Sequence, residues 1–66
     1  MDDEVLNMSI RKFLKKVGVT SQREIEQAIR DAAAKGDVPA TLPAKVSLTI
    51  GGIGLSVDID AVIETR

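Results

Sequence analysis

Four cations, two carboxylates and one glycine-rich turn are the groups in this 66-residue chain whose types and spacing invite chemistry. Arg11, Lys12, Lys15 and Lys16 fall at helical spacing and make one basic face. Such a face can meet phosphates, an acidic protein surface or an anionic membrane. Its ordinary reading is a solvated face whose cations favour the C-terminal end of a helix dipole. The single aromatic, Phe13, projects to the opposite, apolar side. Asp58 and Asp60 share one face of a strand. Paired carboxylates can hold a hard cation or share a proton. A cation site needs more oxygen ligands than two, and no Asp/Asn-Gly loop supplies them. The pair therefore reads as a charged, solvated face that discourages edge aggregation.

Gly51-Gly52-Ile53-Gly54 looks like a phosphate loop until its surroundings are read. A phosphate loop opens a helix and usually carries Lys-Ser/Thr. Here a strand pattern follows, so these are turn glycines. The segment Phe13 to Ser21 suggests a helix-turn-helix, with a Gly-Val turn and a Ser/Thr cap before the next helix. Aligned on Gly18, however, two positions that the motif needs apolar are Glu24 and Gln27. The would-be reading helix also has no net positive charge, because Arg23, Arg30 and Lys35 are balanced by Glu24, Glu26 and Asp31. The sequence thus argues against nucleic acid as a partner.

Composition removes other chemistries. The chain has no Cys, His, Trp or Tyr. Disulfide scaffolds, Cys/His zinc sites and Cys–His or Ser–His nucleophiles are excluded. Nothing points to a cofactor, a metal site or catalytic residues, and the expectation is a non-enzyme. With 9 basic and 10 acidic side chains, the net charge of -1 gives no global drive toward polyanions. The acidic start Met1-Asp2-Asp3-Glu4 is unlike a secretory signal, and no apolar run of about 18 residues exists to span a membrane. A cytoplasmic location is expected.

Two helices and a hairpin are the elements predicted to position these residues. The first helix is expected over 3–17, with Leu6, Ile10, Phe13, Leu14 and Val17 on its apolar side and Gly18 as terminator. Val5 and Met8 project on the basic side. Ser21-Gln22-Arg23-Glu24 has the form of a capping box opening a second helix. That helix carries Ile25, Ala28, Ile29 and Ala32 inward and ends at Gly36. Residues 37–44, with Pro39 and Pro43, read as a linker. Alternation from Lys45 to Ile63 predicts a β-hairpin with one apolar face. A Gly51-Gly52 turn pairs Lys45 with Asp58; a four-residue loop pairs Lys45 with Asp60. Either register leaves Ala61 to Ile63 without an evident strand partner.

The block Asn7 to Glu26, Asn-Met-Ser-Ile-Arg-Lys-Phe-Leu-Lys-Lys-Val-Gly-Val-Thr-Ser-Gln-Arg-Glu-Ile-Glu, resembles a small family of uncharacterised proteobacterial proteins. The resemblance implies a free-standing bacterial cytoplasmic protein and lends no catalytic or binding residues. The expected architecture is a single small α+β domain over 1–66: a helical hairpin (3–36), a linker (37–44) and a β-hairpin (45–63), with both helices on one face of the hairpin (α-α-β-β). The light core and free hairpin edges point to a protein-interaction module, pairing with itself or another protein. The alternative is weak nucleic-acid or anionic-surface binding through Arg11, Lys12, Lys15 and Lys16.

Overall fold

The computed structural model describes every residue from Met1 to Arg66. Its elements are helix α1 (Asp3–Lys35), strand β1 (Thr41–Ile50), a short 3-10 turn (Gly51–Ile53) and strand β2 (Leu55–Glu64). The α+β class and the antiparallel hairpin agree with the sequence reading. The two N-terminal helices do not: one continuous helix of 33 residues replaces them.

The reason lies in the phase of the apolar stripe. Leu6, Ile10, Leu14, Val17, Ser21, Ile25, Ala28 and Ala32 follow one another at steps of 4, 4, 3, 4, 4, 3 and 4. This is an eleven-residue period of about 3.67 residues per turn, which keeps the stripe on one side of a nearly straight helix. The phase passes through Gly18 unbroken. A mid-helix glycine costs only about 1 kcal/mol relative to alanine, and no proline lies between Asp3 and Lys35 to enforce a stop. The cap that operates is Asp2, whose Oδ1 accepts from the backbone N–H of Glu4 at 3.0 Å and of Val5 at 3.2 Å. Ser21 and Glu24 are interior helix residues. Around them the side chains of Gln22 and Gln27 donate one turn onward, to Glu26 at 3.1 Å and Asp31 at 2.9 Å. Gly36 ends the helix as expected, its N–H donating to the Ala33 carbonyl at 3.4 Å.

The hairpin takes the four-residue loop. Ile50 lies opposite Leu55 and Lys45 opposite Asp60. Gly54 adopts φ 65°, and its N–H donates to the Gly51 carbonyl at 3.4 Å. Only glycine occupies that left-handed region without strain. Strand β1 begins at Thr41, inside the predicted linker, so the expected lone extension is paired: Ala61 with Ala44, Val62 with Pro43, Ile63 with Leu42. Pro43 is tolerated because of ladder phase. The Thr65 N–H donates to the Ala40 carbonyl at 2.9 Å, which makes Ala40, Leu42, Ala44 and their even-numbered successors the cross-bonding residues of β1. Pro43 falls between them, and its missing N–H faces the outer edge. The chain end closes this rim. Thr65 Oγ1 donates to the Pro39 carbonyl at 2.8 Å, and Arg66 Nη2 to the Val38 carbonyl at 3.1 Å.

Dimensions fix how helix and hairpin sit. A 33-residue helix is about 50 Å long and a 10-residue strand about 33 Å. The molecule measures 51 × 20 × 18 Å. End-to-end or perpendicular placement exceeds those limits, so the hairpin folds back alongside the helix. The half-buried positions agree: Val17, Ser21 and Ile29 on one helix stripe, and Leu42, Ala44, Leu48 and Ile63 on one sheet face. Every residue before Val17 is exposed. The helix therefore overhangs its own hairpin by roughly its first ten residues, the length left when a 33 Å strand is laid back along a 50 Å rod.

No residue of the chain is buried. The radius of gyration is 15.7 Å, against about 11 Å for a compact chain of this length. The accessible surface is 5992 Å², where a folded monomer of 7.1 kDa exposes about 4,100 Å². One copy thus leaves about 1,900 Å² in water that a self-sufficient domain of the same mass would cover.

Candidate interaction surface

The strand phase sorts the hairpin into two unlike faces. Leu42, Ala44, Val46, Leu48 and Ile50 of β1 lie opposite Ile63, Ala61, Ile59, Val57 and Leu55 of β2, and every one of these ten is apolar. The other face pairs Thr41 with Glu64, Pro43 with Val62, Lys45 with Asp60, Ser47 with Asp58, and Thr49 with Ser56. Asp58 is held there by two neighbours. Ser47 Oγ donates to its Oδ1 at 2.7 Å, and Lys45 Nζ stands 3.9 Å from its Oδ2. Asp58 and Asp60 are thus cross-strand partners of Ser47 and Lys45 on an exposed polar face. No group of three metal-ligating side chains occurs in the chain.

Cover over the apolar face is uneven. Leu42, Ala44 and Leu48 of β1 and Ile63 of β2 are half-buried, whereas Val46 and Ile50 of β1 and Leu55, Val57 and Ile59 of β2 remain 40–55% exposed. The overhanging start of α1 presents Leu6, Ile10, Phe13 and Leu14 at 41–49% exposure. Two apolar surfaces on one small chain therefore lack cover: most of the sheet face from Val46 and Ile59 toward the turn, and the first half of the helix stripe.

The hairpin edges are guarded. The outward backbone groups of β1 belong to Thr41, Pro43, Lys45, Ser47 and Thr49, and Pro43 has no N–H to offer. Those of β2 belong to Ser56, Asp58, Asp60, Val62 and Glu64. Pairing two β2 edges antiparallel brings acid beside acid, which is unfavourable.

Arg11, Lys12, Lys15 and Lys16 sit on α1, exposed, on the side away from the apolar stripe. The continuous helix removes their expected support, because they lie mid-helix rather than in a last turn, beyond the reach of the dipole. Their helical neighbours aggravate the charge: Arg11/Lys15 and Lys12/Lys16 are like-charge i,i+4 pairs. None has an acidic partner within 4.0 Å, since the chain's one ion pair is Lys45–Asp58. Val5 and Met8 are exposed near this face. The surface concavity beside it, lined by Val19, Gln22, Arg23 and Glu26, belongs to the back of the helix alone. No helix is long and apolar enough to cross a membrane.

The uncovered surfaces were not named from the sequence, although their signal was present. The eleven-residue period announces one rod rather than two, and a rod that outlasts its hairpin must carry an apolar end with nothing of its own beneath it.

The chain belongs to a family of unknown function (DUF6494), whose model matches residues 1–66, the whole length. No curated protein and no solved structure matches the chain.

Proposed function

We propose that this protein is a non-catalytic interaction module whose working form is a self-assembled oligomer. The carrying observation is the absence of any buried residue beside a ten-residue, wholly apolar sheet face. At about 25 cal/mol per Å², surface of that size left wet is a large unfavourable term for a chain with no disulfide to compensate. Association through apolar faces relieves it. The guarded edges turn the reading away from strand-to-strand pairing at the rims and toward packing of faces. The excess of about 1,900 Å² per copy has the magnitude of an obligate interface rather than a transient one. The bacterial, cytoplasmic setting implied by the resemblance belongs to the same proposal. Sedimentation equilibrium and light scattering from micromolar to millimolar protein test it. A mass of two or more chains at the lowest concentrations is expected. A single chain of 7.1 kDa that keeps its helix and hairpin throughout would overturn it.

A second reading is supported by the unpaired mid-helix cations. Lys12, Lys15 and Lys16, with Arg11, supply the anchors of an anionic partner, and such binding weakens steeply with salt. Titration of the labelled protein with DNA, RNA and anionic vesicles at low salt tests this. Resonances of those four residues that stay in place under all three ligands sink it.

A further inference from the structure

We infer that the second copy packs antiparallel, with the helix of each chain lying along the exposed part of the other's apolar sheet face. The inference rests on the self-association proposed above and specifies its geometry. Three features of the chain converge on it.

The first is fit of length. The helix leaves about ten residues beyond its hairpin, and these carry Leu6, Ile10 and Phe13, with Leu14 at the hairpin tip. Within one chain they have nothing to cover. In an antiparallel pair centred between Gly18 and Val19, half a residue from the midpoint of α1, residue i of one helix stands opposite residue 37 − i of the other. The overhang then lies alongside residues 25–34 of the second helix, where the second hairpin is. Each sheet face gains a second helix over the residues its own helix leaves exposed.

The second is area. The four helix residues are 41–49% exposed, and Val46, Ile50, Leu55, Val57 and Ile59 are 40–55% exposed. With residue surfaces near 170 Å², these nine alone supply about 700 Å² per chain, close to the ~800 Å² per partner of a standard interface. Their removal from water accounts for somewhat over a third of the surplus surface.

The third is charge. The same centring places Arg11 opposite Glu26 of the second copy, and Asp2 opposite its Lys35. A parallel pair in register sets the basic cluster 11–16 against itself and the acidic start against itself, which is unfavourable on both counts. Gly18, at the centre, has nothing within 4 Å of the position its Cβ would take, so a second helix can approach closely there.

The cysteine-free chain allows a clean test by spin-label distance measurement on the full-length protein. Glu4→Cys, Ser9→Cys and Thr20→Cys are all at exposed positions. For the antiparallel pair the inter-label distances should be about 45 Å, about 30 Å and under ~15 Å in that order, from 1.5 Å rise per residue and ~10 Å lateral offset. Three similar short distances, or a distance that does not shorten from residue 4 to residue 20, overturn the geometry while self-association stands. A monomeric mass in sedimentation, with no inter-label coupling at any site, overturns the proposed function itself. Circular dichroism of each variant confirms that the helix is retained before the distances are read.

Discussion

Ile59 and Val62 make a matched pair for testing whether the apolar face is an interface. Both lie on β2, three residues apart, and both are largely exposed in one copy, at 55% and 63%. They differ in side: Ile59 faces the apolar sheet surface opposite Val46, and Val62 the polar one opposite Pro43. Replacement of either by Asn removes a β-branched residue and adds no charge, so the propensity costs match to within about 1 kcal/mol. If each chain works alone, the two variants behave alike. If the apolar face is covered by a second copy, Ile59 surrenders its remaining 55% of exposure on assembly. That is roughly 95 Å² of apolar surface, about 2.4 kcal/mol per site at 25 cal/mol per Å². A two-fold dimer contains the site twice, so Ile59→Asn should weaken association by about 5 kcal/mol, or between three and four decades in Kd. The buried amide adds to this if it finds no partner. Val62→Asn should change Kd by less than about tenfold. Sedimentation equilibrium on both variants and the parent chain reads these numbers directly. Equal dissociation constants for the two variants, within tenfold, would refute the assignment of the apolar face to an interface.

Four further outcomes are expected. The thermal midpoint of the parent chain, followed by circular dichroism, should rise with protein concentration, because assembly stabilises by mass action; a midpoint constant over a hundredfold range contradicts it. Gly54→Ala should lower stability by about 1–2 kcal/mol through its left-handed φ of 65°, while Gly52→Ala, free of that constraint, should cost far less; denaturant titration compares them. Gly18→Ala should raise helicity by about 1 kcal/mol of propensity yet weaken the dimer, a split in sign that a glycine serving only local structure does not produce. Arg11→Glu should weaken association, and Arg11→Glu combined with Glu26→Arg should restore it, as read by a double-mutant cycle.

Much of the hairpin was legible because strand periodicity is short-range and redundant. Alternation from Lys45 to Ile63 identifies the apolar face, and the four glycine-rich loop residues were one of two registers that kept that face intact. What was misread came from local signals that tertiary context overrides. Pro43 suggested a linker, yet proline is excluded only from positions whose N–H crosses to the neighbouring strand, and the ladder phase that spares it becomes visible only with the Thr65–Ala40 bond in hand. Gly18 signals a stop and the Ser21–Glu24 box a start. Each is a modest preference, and both yield to a stripe that continues in phase on either side of them. The basic cluster's helical spacing puts it on one face of α1, but the helix end that would favour its charge does not exist there. No short-range pattern could reveal the partly clothed sheet, since cover is set by where helix and hairpin meet.

The single helix changes what the chain can be. Two short helices folded over the hairpin would have enclosed the apolar face and made a modest but closed core. One straight rod cannot do so, because a line of about 50 Å laid on a sheet about 33 Å long covers only part of its face and overshoots one end. The overshoot and the uncovered part of the face are both apolar. They cannot meet within one chain, since the rod would have to bend back on itself at Gly18, and its stripe runs straight through. They can meet between two chains related by a two-fold axis, where each defect is the other's remedy. The same continuity strands Arg11, Lys12, Lys15 and Lys16 in mid-helix without acids of their own. An antiparallel neighbour answers Arg11 with Glu26 and leaves three lysines pointing outward. On the proposed pairing, the assembled particle would be charged where the single chain is apolar, and its function is to be sought there.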